Sequence, residues 1–310
     1  MLSELPGYPE HRDRLRPVVS AGRFLSLVVN ALRDCAAPCR VGAGALLALG
    51  SIAFSSTVYA AATGAHIPDC KFDDVIGTSR VLEVDTDAGP RFGALQYRET
   101  VALKAREVVL TFDDGPSRAA TDEILDVLAR HCVRATFFQV GIWARHRRQI
   151  ARRVADEGHT LGSHTWSHPK DFKLMSFADA RAEVERGFEG VSRAIGRPIA
   201  RFLRYPGLND SAALNAYAAR RGYAVFSCDV ATDDWRGIDA EAIVERTLDN
   251  LRRAGNRGII LFHDTKLPTA RALPLLLARL KADGFRVVHL TAVRPYRAGE
   301  RQRLADAARQ

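Results

Sequence analysis

The fold of this chain is decided by the stretch VVLTFDDGP at residues 108–116. Its first half is a run of apolar and β-branched residues, which predicts a buried strand, and Gly115-Pro116 ends that strand in a turn. Asp113 and Asp114 therefore stand at the end of a buried strand. An Asp-Asp-Gly-Pro turn alone is more often structural than catalytic, so other residues must decide its role.

A second motif, SHTWSHP, occupies residues 163–169. One helical turn would place His164 and His168 on the same side, although such a pair alone often marks only a solvated helix face. One carboxylate with two imidazoles, however, is a facial ligand set for Zn²⁺ or a similar divalent ion, and the second carboxylate is then free to act as a base on water. Together the two motifs predict a hydrolase.

From residue 107 onward, short β-like runs alternate with amphipathic helical stretches. The predicted strands are 108–112, 135–140, 159–163, 201–204, 224–228, 258–262 and 286–290. The predicted helices are 121–130, 144–157, 177–195, 211–221, 240–253 and 269–282. This alternation predicts an α/β fold in which a closed or nearly closed barrel of parallel strands is surrounded by helices.

In such a barrel the carboxyl ends of the strands meet at one mouth, where catalytic residues concentrate. The polar side chains predicted there are Asp113, Asp114, His164, His168, Arg204, Asp229, Asp233, Asp234, His263 and Asp264. A single strand-end histidine is more often a hydrogen-bonded core residue, and a single tryptophan such as Trp235 is more often packing. Suitable groups from several strands at one end favour an active site.

The chain resembles the polysaccharide deacetylases with the NodB-homology fold, carbohydrate esterase family 4, over residues 106–290. The most specific matches are TFDDGP at 111–116 and SHTWSH at 163–168, supported by DW at 234–235 and LFH at 261–263. The resemblance implies a distorted (β/α) barrel. It also implies metal-dependent removal of acetyl groups from N-acetylated sugars in peptidoglycan, a chitin-like chain or an exopolysaccharide.

The same resemblance implies a role for each matching residue. Asp113 would be the catalytic base and His263 the general acid, with Arg204 orienting Asp113 and Asp234 pairing with His263. One divalent metal ion, with Zn²⁺ preferred over Co²⁺, Mn²⁺ or Ni²⁺, would be held by three side chains: Asp114, His164 and His168.

One departure from the family concerns the substrate-binding positions Tyr205, Pro206, Gly207 and Trp235. The family usually has Arg-x-Pro-aromatic where this chain has RYPG at 204–207. Gly207 keeps the backbone N–H that the family uses to bind the oxyanion, but the aromatic side chain is lost. Trp235 would either stack on a sugar ring or simply form part of the wall of the substrate groove. Two alternatives stay open: an esterase or amidase of the same fold acting on another acyl group, and an inactive glycan-binding module.

The chain has 310 residues with 47% hydrophobic content and a net charge of +9. Its basic residues are spread over predicted helix faces and form no run interleaved with aromatics, so nucleic-acid binding is not expected. Contact with anionic envelope polymers, or a solvated surface, accounts better for the charge. The expected partner is an N-acetylated polysaccharide or oligosaccharide.

An apolar stretch at 41–58 ends in a small-residue pattern before Ala60, which predicts export to the periplasm or the exterior with cleavage after Ala60. The alternative is a retained membrane anchor. The expected segments are therefore a signal or anchor at 1–60, an irregular extension at 61–106 with a possible strand at 80–84, a catalytic domain at 107–293 and a charged tail at 294–310. Cys70, Cys132 and Cys228 would remain, allowing one disulfide of unspecified pairing and one buried thiol.

Overall fold

The computed structural model describes residues 74–299. The predicted export segment, its cleavage point, Cys70 and the tail beyond residue 299 lie outside this range. No helix between residues 74 and 299 is long and apolar enough to cross a membrane.

Twelve strands and seven α-helices are present in the described range. The strands are β1 (Thr78–Val84), β2 (Arg91–Phe92), β3 (Glu107–Asp113), β4 (Thr136–Gln139), β5 (Thr160–Ser163), β6 (Ile199–Ala200), β7 (Phe202–Leu203), β8 (Ala224–Phe226), β9 (Val230–Ala231), β10 (Gly258–His263), β11 (Arg286–Ala292) and β12 (Pro295–Tyr296). The helices are α1 (Ala120–Arg130), α2 (Gly141–His146), α3 (Arg148–Asp156), α4 (Phe177–Ile195), α5 (Ala212–Arg221), α6 (Ala240–Arg253) and α7 (Leu267–Ala282).

Ten of the strands form one sheet in which the pairings are parallel. β3 pairs with β4, which leads through β5 and β7 to β8, and β3 also pairs with β10. Since β8 pairs with β7 while β9, which follows closely, pairs with β10, the segment from β8 to β9 completes a ring of strands. The predicted parallel barrel with outer helices is confirmed, with more strands than the sequence indicated.

The continuous apolar run of β3 is explained by burial on both faces of the sheet. Val108, Leu110 and Phe112 belong to the larger hydrophobic cluster, which includes the buried faces of the helices. Val109 points the other way, into a second cluster formed mainly by strand residues. Every residue of β3 is buried, so the strand delivers Asp113 rigidly to the mouth of the barrel.

The extension at 61–106 contributes two strands: β1 confirms the possible strand at 80–84, whereas β2 was not predicted. Within 61–106, β1 pairs with β11 and β2 pairs with β8 in the main sheet. At the start of the tail, β12 pairs antiparallel with β6, and Tyr296 is fully buried. Strands of two residues are too short to produce an alternating pattern, which is why the sequence did not reveal β2 and β12.

The single helix predicted at 144–157 is also wrong, because α2 and α3 are separated at Arg147. The backbone of Arg147 leaves the helical region at φ −121° and ψ 49°, and its guanidinium donates to the carbonyl of Pro116 at 2.7 Å. Of the two cysteines in the described range, Cys132 is disulfide-bonded, whereas Cys228 is a buried free thiol.

Candidate active site

The turn after β3 presents Asp113 and Asp114 in different settings. Asp113 is buried, whereas Asp114 is partly exposed and has a positive φ of 75°. The turn is packed against Asp264, since a Cβ at Gly115 would lie 2.0 Å from Oδ2 of Asp264. Only glycine therefore allows this close approach. The carboxyl of Asp264 accepts a hydrogen bond from Thr121 at 2.7 Å, and burial raises its pKa to about 7.

Three side chains that the sequence predicted as a ligand set meet at this mouth. Oδ1 of Asp114 lies 3.4 Å from Nε2 of His164 and 3.3 Å from Nε2 of His168. One nitrogen or oxygen atom from each of the three lies within 4.8 Å of the others. Burial opposes the charge of Asp114, but the neighbouring His164, and to a smaller extent the charges of His263 and His168, hold its pKa well below its usual range.

A hydrogen bond fixes which nitrogen of His164 faces this cluster. Nδ1 lies 2.7 Å from the backbone carbonyl of Arg204, which can only accept a hydrogen bond, so Nδ1 carries the proton. Nε2 then presents its lone pair toward Asp114. An imidazole oriented in this way is typical of metal-binding histidines.

The prediction that one helical turn brings the two histidines together is wrong. Residues 164–170 form a loop after β5, in which Thr165 and His168 have positive φ values of 66° and 52°. Trp166 anchors this loop on α4, where a Cβ at Gly190 would lie 2.8 Å from Cζ3 of the indole. Packing of the loop, rather than helical geometry, sets the spacing of the two imidazoles.

Arg204 is fully buried, and its guanidinium organises the floor of the site. Nη1 donates to Oδ1 of Asp113 at 2.7 Å and to the hydroxyl of Thr111 at 2.8 Å, while Nη2 donates to the carbonyl of Ser227 at 2.7 Å. The guanidinium also stacks 4.3 Å from the ring centre of Phe138. One oxygen of Asp113 is thus fixed, and the other, Oδ2, lies 3.8 Å from Nε2 of His164.

His263 lies beside Asp113, because the β3–β10 register places the two residues opposite each other. Nδ1 of His263 lies 2.7 Å from Oδ1 of Asp234, and the hydroxyl of Thr269 donates to Oδ2 at 2.6 Å. Burial disfavours the charged imidazole, but the hydrogen bond and charge of Asp234, with the charges of Asp114 and Asp113, raise the pKa of His263 to about 9.

A cavity of about 460 Å³ connects these groups. Its lining includes Asp113, Asp114, His164, His168, Tyr205, Gly207, Trp235 and His263. Trp235 is 55% exposed, whereas Tyr205 and Pro206 are buried, and burial raises the pKa of the Tyr205 hydroxyl far above its usual range. Gly207 is exposed with a φ of 59°, and a Cβ there would meet only the flexible amide of Asn209.

Comparison with known proteins supplies the family. A model of the polysaccharide deacetylase family matches residues 100–226. A peptidoglycan-N-acetylglucosamine deacetylase of Bacillus cereus is 34% identical over 191 residues, which cover 60% of this chain and 68% of that protein. A chitooligosaccharide deacetylase of Sinorhizobium fredii is 36% identical over 174 residues, covering 55% and 79%. The chain belongs to the polysaccharide deacetylase family.

A solved structure agrees with this assignment. The peptidoglycan deacetylase of Bdellovibrio bacteriovorus superposes with a TM-score of 0.64 at 33% identity, over 72% of this chain and 61% of that one. The predicted family and its fold are therefore confirmed, and the hydrolase class follows at the level of the family.

Sequence reasoning missed or misplaced residues that hold the side chains of the mouth and its neighbouring segments. Thr269 donates a hydrogen bond to the second oxygen of Asp234 and is buried near the start of α7. In the sequence, only its place near the start of the predicted helix could have indicated this contact. Asp229, predicted at the mouth, instead turns its carboxylate toward the segment 93–100, which no sequence pattern singled out.

Proposed function

We propose that this protein is a metal-dependent N-deacetylase that removes acetyl groups from GlcNAc-type residues of a glycan. The observation that carries the proposal is the arrangement around one cavity. An Asp-His-His ligand set stands beside a buried Asp113–Arg204 pair and an Asp234–His263 pair in which the carboxylate is buried.

The donor set fits a divalent metal ion. Oδ1 of Asp114 is buried and has no hydrogen-bond partner among the described residues, although it faces two imidazole nitrogens. A buried carboxylate oxygen in that state is costly unless a cation completes its environment. Asp114, His164 and His168 would hold the ion, with Zn²⁺ the preferred choice for one oxygen and two nitrogen ligands. The bound ion supplies Lewis acidity for the acetyl carbonyl and makes a nearby water more acidic.

Asp113 is suited to take the proton of the attacking water. Arg204 holds its Oδ1, so that Oδ2 remains available on the side of the ligand set. A general base must lie within hydrogen-bonding reach of the proton it accepts, and a fixed carboxylate avoids the cost of ordering it during reaction.

His263 is suited to protonate the leaving amine. Its pKa of about 9 keeps it protonated near neutral pH, and Asp234 directs Nε2 toward the cavity by engaging Nδ1. The backbone N–H of Gly207, exposed at the cavity wall, is the candidate donor to the tetrahedral oxyanion. Proton acceptance by Asp113 and proton donation by His263 then cleave the amide, releasing acetate and a free amino sugar.

The substrate class rests on the named relatives and on the wall of the cavity. The relatives are named for acting on peptidoglycan and on chitooligosaccharide, both polymers or oligomers of N-acetylated sugars. Trp235 offers an exposed indole of the kind that stacks on sugar rings.

Acetate release from a panel of N-acetylated glycans, with and without chelator, tests the proposal. We expect activity that chelator removes and Zn²⁺ restores. Asp114→Ala and the double variant His164→Ala/His168→Ala should lose bound metal, measured by elemental analysis. Full metal content in the double variant would refute the ligand assignment.

The alternatives are separated by extending the panel to glycans that carry larger acyl groups and by measuring binding beside release. Gly207 stands where the family usually has an aromatic side chain, which keeps an acyl group other than acetyl as an alternative. Release of a larger acyl group faster than acetyl would indicate an esterase or amidase acting on that group. Glycan binding without release of any acyl group would indicate a glycan-binding module.

Export is a separate proposal. A disulfide at Cys132 supports it, because disulfides persist mainly in oxidising compartments. N-terminal sequencing of the secreted or periplasmic protein should begin near Ala61, whereas an intact N-terminus in the membrane fraction would indicate the anchor.

A further inference from the structure

Residues 93–100, here called the strap, cross the barrel mouth before β3. Gly93 has a φ of 113°, and a Cβ there would lie 2.6 Å from the backbone nitrogen of Cys228. The strap therefore passes so close to the end of β8 that only glycine fits. The backbone N–H of Leu95, two residues after Gly93, donates to the carbonyl of Cys228 at 2.9 Å. This hydrogen bond fixes the backbone of Leu95.

Asp229 anchors both ends of the strap. Its Oδ1 accepts from the backbone N–H of Ala94 at 2.6 Å, and its Oδ2 accepts from the hydroxyl of Thr100 at 2.6 Å. Oδ2 also accepts from the N–H of Ile259 in β10 at 2.7 Å. The carboxylate thus ties the strap to the barrel wall and has no part in the proposed chemistry.

A second anchor joins the strap to the loop that carries Gly207. The amide of Gln96 donates to the carbonyl of Leu208 at 2.6 Å, and the hydroxyl of Tyr97 donates to Asp210 at 3.1 Å. The strap is therefore a fixed wall between two loops of the catalytic mouth.

Leu95 is the side chain that this wall presents. It is 60% exposed, and with Trp235 it is one of two exposed large apolar side chains lining the catalytic cavity. Leu95 also lines a second cavity of about 430 Å³, together with Arg253 and Arg257. A glycan chain that leaves the catalytic cavity toward the second one must pass Leu95.

We propose that Leu95 is a specificity-determining residue that packs on the apolar face of the sugar next to the one being deacetylated. Thr100 and Asp229 are the positioning residues for this contact. The inference rests on the proposed function and deepens it, since it assigns the enzyme to sugar chains rather than single sugars. Because hydrogen bonds hold the strap before binding, the contact costs little ordering of the backbone.

The test compares Leu95→Ala with Leu275→Ala in the full chain loaded with Zn²⁺. Leu275 is an exposed leucine of α7 and provides the matched control. KM is measured for tetra-N-acetylchitotetraose and for soluble peptidoglycan fragments, and Kd for the same glycans by calorimetry. On the glycan that wild type binds more tightly, Leu95→Ala should raise KM and Kd about five-fold with kcat unchanged. Leu275→Ala should change none of them.

Positioning is tested by Thr100→Val and Thr100→Ser. The valine removes the hydroxyl that Asp229 accepts, and KM and Kd should rise about two-fold with kcat unchanged. The serine keeps the hydroxyl and should behave as wild type. An unchanged Kd in Leu95→Ala, or an equal change in Leu275→Ala, overturns the inference. A weaker Kd in Leu95→Ala with no acetate released by wild type would refute the deacetylase function and leave the Leu95 contact standing.

Discussion

The two ends of the barrel bury histidines in opposite electrostatic settings. At the carboxyl end, His263 is paired with Asp234, and its pKa is raised to about 9 despite burial. Toward the amino end, His159 stands directly before β5 and His289 lies within β11. Burial lowers the pKa of His159 to about 3 and that of His289 to about 4, with nearby positive groups adding to the effect.

Burial of a histidine therefore does not by itself indicate function. The hydrogen-bonded carboxylate of Asp234 decides the sign of the pKa shift at the carboxyl end. At the other end, the carboxylate recorded near His159 is the partly exposed Glu157, 3.9 Å away and without a hydrogen bond to it. The first setting keeps a proton ready for donation, whereas the second keeps two neutral imidazoles within the packed barrel. Substitutions at the two ends should consequently change different properties.

The largest expected effect is at Asp113, the proposed base. Asp113→Asn keeps the shape of the side chain but removes the proton acceptor, so kcat should fall by roughly 10²–10⁴-fold. Bound metal, measured by elemental analysis, should stay near wild-type content because Asp114 and the two histidines are unchanged. Loss of metal to the same extent as in Asp114→Ala would show that the two aspartates do not have separate roles.

Arg204 should affect stability as well as rate. Arg204→Met removes the partner of the buried Asp113 carboxylate and leaves Ser227 and Thr111 without their guanidinium donor. Breaking a buried ion pair in this way costs about 3–5 kcal/mol, to be measured by urea unfolding. The double variant Arg204→Met/Asp113→Leu should recover part of that loss, because no unpaired carboxylate remains; a further loss of similar size would contradict this account.

Asp234→Asn tests the proposed role of His263 as the acid. The folded pKa of His263 lies above its unfolded value, so its pairing stabilises the protein below about pH 6.5, and this stabilisation is lost as pH rises through 9. Without the Asp234 charge the pKa should fall, measured by NMR titration of the metal-free protein. The basic limb of the pH–rate profile should then move to lower pH, cutting the rate at pH 8 more than at pH 6.

The positive charge of a bound ion also lowers the pKa of His263, so its value differs between metal-free and metal-loaded protein. The test therefore depends on the direction in which Asp234→Asn moves that pKa. An unmoved basic limb in Asp234→Asn, with near wild-type turnover in His263→Ala, would exclude both residues from the reaction.

The same contrast explains what the sequence could predict. The apolar run of β3 and the polar residues after each strand are local patterns, and they predicted which strand ends meet at the mouth. The loop that carries His164 and His168 was mistaken for a helical turn, because its conformation depends on the packing of Trp166 against α4.

Long-range contacts produce no local pattern at all. The strap is held by Asp229, more than a hundred residues away in the chain, and nothing near Leu95 indicates that it lines a cavity. His159 and His289 likewise look no different in sequence from the histidines of the mouth. Only their surroundings in the folded barrel separate them.

His289→Leu gives the smallest expected effect and isolates the amino end of the barrel. Because the folded pKa of His289 lies below its unfolded value, the unfolded state binds more protons between about pH 4 and 6.5, and stability falls as pH falls through this window. One histidine costs about 1.4 kcal/mol per pH unit there, or about 2 kcal/mol at pH 5. The variant should therefore lose less stability than wild type between pH 6.5 and 5, measured by urea unfolding.

The hydroxyl of Thr160 lies 2.9 Å from Nε2 of His289, and after the substitution it still donates to the carbonyl of Leu290 at 2.5 Å. Replacing the exposed His146 by leucine is the matched control and should leave the pH dependence of stability as in wild type. The position of the basic limb should be unchanged in His289→Leu, since His263 and Asp234 are untouched. A shift of that limb would mean that the two ends of the barrel are electrostatically coupled, and the contrast between them would fail.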